Sequence, residues 1–181
     1  MKRLFTSIAL FALFFSACNN NPGKKETISS LNTKEVKQIT KPFSDLAKSD
    51  TFRVVLTGNK PKDMQLSFSI IAYNGKTIYQ KDLKATELLD NYKASVDLKK
   101  EAAQRKFLHE ELNLFLEDEN FLEPAITETE QPDKNTADKA FYAELKQSVL
   151  NGFKYRLGKD SQLYIAWSEK EQRVKVYYQC C

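Results

Sequence analysis

Along residues 52–57 the apolar positions Phe52, Val54 and Leu56 alternate with Arg53, Val55 and Thr57, a period of two that predicts a strand, and Gly58-Asn59-Lys60-Pro61 supplies its stop. Met64, Leu66, Phe68, Ile70 and Ala72 then alternate with Gln65, Ser67 and Ser69 before Asn74-Gly75 and the run KTIYQ. Asn-Gly between alternating runs predicts a hairpin closed by a type I′ turn, because both residues accept the positive φ that this turn requires. The period next lengthens. Residues 86–92 predict a short helix, and Asp97 is placed to cap a longer one to about residue 117, with Phe107, Leu108, Leu112, Phe115 and Leu116 on one stripe. A further helix is expected over residues 138–157, burying Phe141, Leu145, Val149 and Phe153 and stopped by Gly158. At the end of the chain Leu163, Ile165 and Trp167 alternate, EKEQ turns, and Val174, Val176 and Tyr178 alternate with Arg173, Lys175 and Tyr177. Cys180 falls on the Tyr178 face.

Strands, helices and strands in that order predict an α+β fold, with an antiparallel sheet of about five strands built from two hairpins and two main helices packed on one face. Between the helices, residues 118–137 (DENFLEPAITETEQPDKNTA) are acidic, hold two prolines and follow neither period. They read as a long loop, and long loops in compact domains are commonly functional or mobile. Upstream, residues 18–49 are polar and lysine-rich and read as a tether. Within it Val36, Ile39, Phe43 and Leu46 recur at helical spacing and Pro42 interrupts them, which predicts a short, broken helix. Residues 50–181 are expected to form a single globular domain, and no internal repeat is visible.

The first residues follow a different logic. Lys2 and Arg3 form a basic start, residues 4–15 an apolar run, and Ser16-Ala17 a small-residue site ahead of Cys18. The run is shorter than the roughly 20 residues a spanning helix needs and suits the apolar core of a secretory signal over residues 1–17. The FSAC ending resembles the lipobox of bacterial lipoproteins, with Phe15 where an aliphatic residue is usual. That resemblance implies that Cys18 becomes the lipid-bearing first residue and anchors the chain to the membrane through its acyl groups. Asn19 stands where an aspartate would resemble an inner-membrane retention signal, so the outer membrane is expected. NNNPGKK lacks the acidic cluster that directs some lipoproteins to the cell surface, so the resemblance favours the periplasmic face.

About 160 residues beyond the signal suffice for one domain with a real core. Only 5 Gly and 5 Pro beside 41% hydrophobic residues argue against a disordered body. The net charge is +4, of which Lys2 and Arg3 supply two, so no electrostatic argument for nucleic acid exists. If Cys18 is lipidated, the cysteines left are Cys180 and Cys181. A bridge between these neighbours would be strained, because adjacent α-carbons sit near 3.8 Å and ordinary disulfides want about 4.4 to 6.8 Å; an intermolecular bridge and two buried thiols are the other readings.

Candidate chemistry is sparse. The single histidine, His109, lies beside the apolar stripe of the long helix, and no HExxH or GxSxG motif accompanies it, so a solvated or boundary position competes with a catalytic one. Glu110, Glu111, Glu117, Asp118, Glu119 and Glu123 concentrate negative charge at the end of that helix. Asp118, Asn120 and Glu123 offer oxygen ligands for calcium without the spacing of a calcium loop, and the carboxylates near residues 110–123 are the candidates for hydrolysis; a solvated acidic face is the plain reading. Tyr164, Arg173, Lys175 and Tyr177 would form a basic, aromatic outward face, a composition enriched at protein interfaces; a second packed face is the alternative. The expectation is therefore a periplasmic, outer-membrane-anchored lipoprotein that works without catalysis or cofactor, by binding another envelope protein. A small-ligand or glycan-binding lipoprotein is the competing reading, and a carboxylate hydrolase the third.

Overall fold

The computed structural model describes residues 34–180. Cys18, the signal and Cys181 lie outside the described residues. The α+β class holds, but the strands form two four-stranded antiparallel sheets instead of one sheet of five, and three helices accompany them.

The first sheet is a meander of β1 (Lys34–Pro42), β2 (Ser49–Thr57), β3 (Gln65–Ile71) and β4 (Thr77–Lys84). β2 and β3 follow the sequence alternation: Phe52, Val54, Leu56, Leu66, Phe68 and Ile70 are all buried, and their neighbours form a more polar outer face. The Asn74-Gly75 turn differs in type. Gly75 has φ 85° while Asn74 has none of the positive φ a type I′ turn demands, and the Gly75 N–H donates to Ala72 O at 2.8 Å. This is a three-residue connection with glycine in the left-handed position, the next commonest hairpin solution.

β1 replaces the broken helix expected over residues 33–48, and the folded body therefore begins well before residue 50. It pairs with β2 along its whole length, from Lys34↔Thr57 to Pro42↔Ser49. Helical spacing of Val36 and Ile39 misled because an edge strand buries one side only weakly: Glu35, Lys37, Ile39 and Lys41 are partly covered, and Val36 is exposed. Pro42 ends the strand at the sheet edge, where a missing N–H costs nothing. Phe43 follows it into the core and meets Phe52 edge-on at 5.3 Å. Buried Asp50 fastens this end, accepting hydrogen bonds from Ser44 N (2.7 Å) and Tyr73 N (2.9 Å).

α1 (Ala85–Tyr92) and α2 (Glu101–Leu114) fall where helical periods were expected, although α2 begins after Lys100 and Asp97 instead accepts from Lys99 N in the preceding turn. α3 (Lys139–Ser148) is half the expected length. Its start is as predicted: Asp138 caps it, accepting from Ala140 N and Phe141 N at 2.9 and 3.0 Å. It ends at Val149, which adopts left-handed backbone with φ 55° and donates its N–H to Leu145 O. The chain then extends, so Gly158 stops no helix. β6 (Gly152–Gly158) joins β5 (Phe121–Leu122), β7 (Ser161–Ser168) and β8 (Arg173–Cys180) in the order β5-β6-β7-β8. Phe153, Tyr155 and Leu157 carry its period of two; the four-residue spacing of Val149, Phe153 and Leu157 imitates a helix.

The main core lies between the inner faces of the two sheets and under α1 and α2. Phe52 and Phe68 of the first sheet sit 5.1 and 5.2 Å from Phe153 of the second, with Phe115 after α2 at 4.9 Å from Phe68. Fully burying each such ring is worth roughly 1.5–3 kcal/mol. A second core covers the outer face of the second sheet, where Phe141, Tyr142 and Leu145 of α3 and Ala125 and Ile126 of the loop pack on Ala166 and Tyr177.

Candidate functional site

The second core opens into a groove, and a strand irregularity builds it. Tyr164 pairs with Tyr178 but Ile165 pairs with Val176, so Tyr177 is an extra residue in β8. A bulge of this kind interrupts alternation. Tyr178, expected on the Val174 and Val176 face, thereby joins Tyr177 and Tyr164 on the outer side. Tyr164 stands edge-on to both, with ring centroids 6.1 Å from Tyr177 and 5.3 Å from Tyr178. With Tyr142 of α3 and the loop from Leu122 to Asp133 they line a recess of about 390 Å³, within the roughly 300–1,000 Å³ of ordinary ligand sites.

The loop over residues 118–137 is a built wall. Ala137 N donates to Tyr177 O (3.1 Å), Gln179 N to Asn135 O (3.1 Å), and Lys146 Nζ holds the main-chain oxygens of Glu128 and Glu130 at 2.8 and 2.7 Å. The loop thereby pairs with the β8 edge. Tyr177 is 3% exposed and its hydroxyl donates to Ala125 O at 2.9 Å. Tyr178 donates to Asp133 Oδ2 (3.0 Å) and accepts from Asn135 Nδ2 (3.3 Å). Glu130 accepts from Thr127 N and Oγ1 through Oε2. Burial, and after it the negative charge of Glu130, pushes the Tyr177 phenol far above its ordinary range; burial followed by Glu130 and Asp133 does the same, less strongly, to Tyr142. The groove is aromatic and negative.

The four residues of the expected binding face are divided between two places. Tyr164 and Tyr177 do line a recess together, but Tyr177 is a buried wall under α3 and the loop, and the basic half is elsewhere. Lys175 is ion-paired to Asp138 Oδ2 (2.8 Å) and to Glu171 and lies over the Phe141 ring, while Arg173 Nε bonds Glu171 Oε2 at 2.8 Å. Both cations are ion-paired, Lys175 at the start of α3 and Arg173 to Glu171. Cys180 lies partly buried on the groove rim with no disulfide partner among the described residues. Tyr142, Tyr178, Glu130 and Asp133 were not singled out in the sequence. The acidic, proline-bearing loop was the one signal for the last two, and the bulge hid Tyr178.

The carboxylates of residues 110–123 disperse. Glu110 pairs with Lys106 (3.5 Å), Asp118 and Glu123 with Lys41 (3.1 and 4.0 Å), and His109 Nδ1 with Glu35 Oε2 (2.7 Å), which ties α2 to β1. Among the described residues no group of three acidic, histidine or cysteine side chains is placed to hold a metal. Glu111 and Glu119 do share a cavity with Tyr155 and Arg156, and burial, opposed by Arg156, raises the Glu111 carboxyl. That cavity measures about 70 Å³, too small for a sugar ring or a peptide unit. No family model, curated protein or solved structure matches the chain. Among the described residues no helix is long and apolar enough to cross a membrane.

Proposed function

We propose that this chain is a lipoprotein anchored through Cys18 on the periplasmic side of the outer membrane, and that it works without catalysis, as a binding or accessory module for another envelope protein. The tyrosine groove is its docking element. The observation that carries this reading is the convergence of Tyr142, Tyr164, Tyr177 and Tyr178 with a fastened loop around one recess of ligand size. Tyrosine supplies large contact area at low entropy cost together with a polar tip, which suits recognition. The signal and the FSAC motif support the location.

Two experiments test it. Affinity capture from envelope extract with the mature protein is expected to recover one discrete protein, lost when Tyr164→Ala removes the edge-on ring; equal recovery by the variant would remove the groove from the reading. Replacing Cys18 by Ser is expected to release the folded protein from membranes, and persistence in the membrane fraction would refute the lipid anchor.

A further inference from the structure

We propose that the groove receives a lysine or arginine side chain from a basic peptide segment of the partner; this rests on the groove being the docking element. The lining decides the sign of the ligand. Glu130 and Asp133 line the recess, and among the described residues no lysine, arginine or histidine does. Neither carboxylate is in an ion pair among the described residues: Lys146, the nearest fastening cation, bonds main-chain oxygens, and Lys175 serves Asp138 and Glu171. Both carboxylates are exposed and outside any ion pair among the described residues, so a cation entering the recess can bond them without displacing a partner.

The tyrosines contribute in the same direction. Ring faces are negative and attract ammonium and guanidinium groups, more strongly where water is excluded.

Shape selects a side chain over a free small cation. Leu122, Pro124 and Ile126 give one wall an apolar lining, and Glu130 and Asp133 stand in the loop beyond them. An aliphatic stem packed on the apolar wall with its charged head at the carboxylates matches the amphipathic anatomy of lysine and arginine. The carboxylates have capacity to accept: Glu130 uses Oε2 for Thr127, and Asp133 takes one bond on each oxygen, from Asn135 N and the Tyr178 hydroxyl. A neutral oligosaccharide can stack on the tyrosines and donate hydroxyls to the carboxylates, but it brings no opposite charge to either.

The test is a titration of the mature protein with a capped pentalysine peptide and with the same peptide fully acetylated on Nζ, followed by NMR of the tyrosine rings. The lysine peptide is expected to move the Tyr164 and Tyr178 signals saturably, and the acetylated peptide to bind about tenfold more weakly or worse. Asp133→Asn and Glu130→Gln, which keep an oxygen acceptor for Tyr178 and Thr127, are each expected to weaken the lysine peptide several-fold while leaving the free protein folded, read as unchanged backbone circular dichroism. Equal binding of both peptides at these rings, lost in Tyr164→Ala, would overturn the cationic ligand and leave the docking groove standing. A lysine peptide that leaves these rings unmoved, or a neutral chito-oligosaccharide that moves them instead, would also overturn it. Failure of the docking reading itself would show separately, as partner capture indifferent to Tyr164→Ala.

Discussion

Val149 is a β-branched residue in left-handed backbone, half exposed where α3 ends. Left-handed φ costs a non-glycine residue roughly 1–2 kcal/mol, and glycine returns part of that through its freer unfolded chain. Val149→Gly is therefore expected to stabilise the protein by about 1 kcal/mol, read as a higher denaturation midpoint. Three residues on, Gly152 has the opposite constraint: a Cβ there would stand 2.9 Å from Ala125 Cβ and 3.0 Å from the Tyr177 hydroxyl. Gly152→Ala is expected to cost about 1–3 kcal/mol by pushing the loop wall off β6. The pair of signs is diagnostic. Were residues 138–157 one helix, Val149→Gly would destabilise and Gly152→Ala would stabilise, each by up to about 1 kcal/mol.

At the scale of elements, what the sequence made legible depended on how many forces shaped each segment. β2 and β3 bury one side fully and β7 buries Ile165 between partly covered Leu163 and Trp167, so Phe52, Val54, Leu56 and Ile165 announce their period of two. β1 buries too little at the edge, and in β6 the spacing of Val149, Phe153 and Leu157 satisfies a helix as well as a strand. The groove was half legible for a similar reason. Tyr164 and Tyr177 could be placed on one face by alternation, whereas Tyr178 reaches it through a bulge that no local pattern encodes. The pairing of Lys175 was not legible because its partner, Asp138, lies 37 residues away at the start of α3.

That contact gives α3 a doubly used cap. Asp138 Oδ1 accepts from two backbone N–H groups and Oδ2 from Lys175, and the Lys175 ammonium first, then the N–H of Phe141, hold its carboxyl below the ordinary range. A depressed folded value means that its contribution is fully present above the unfolded value near 3.8 and is lost as pH falls through the folded one. Asp138→Ala is expected to cost about 1–2 kcal/mol at neutral pH, with the gap to the native protein closing as the pH is lowered below about 4. Urea midpoints across that range measure it, and a gap independent of pH would show that the carboxylate charge is irrelevant to the cap.

For the whole molecule the alkaline limb tests whether the two cores unfold together. Tyr155 is 2% exposed in the intersheet core, with its hydroxyl 2.6 Å from that of Tyr79, and Tyr177 is 3% exposed in the outer core. Burial in both, reinforced by Tyr79 for Tyr155 and by Glu130 for Tyr177, raises the phenols far above the ordinary 10. The unfolded chain releases these protons above pH 10 and the native state keeps them, so their stabilising share is complete below that pH and falls as pH rises. One retained proton lowers stability by about 1.4 kcal/mol per pH unit, and the two together by about 3. Against a typical 5–15 kcal/mol this unfolds the domain within a few units above pH 10. Because Ile165 packs in one core and Ala166, its neighbour in β7, in the other, the second sheet cannot lose one without disturbing the other. Phenolate absorbance and backbone circular dichroism are therefore expected to change in a single coincident transition, with a shallower pH dependence in Tyr155→Phe and in Tyr177→Phe. Two separated transitions would show that the groove-bearing core opens on its own, and a stability that stayed flat to pH 12 would contradict the burial of both phenols.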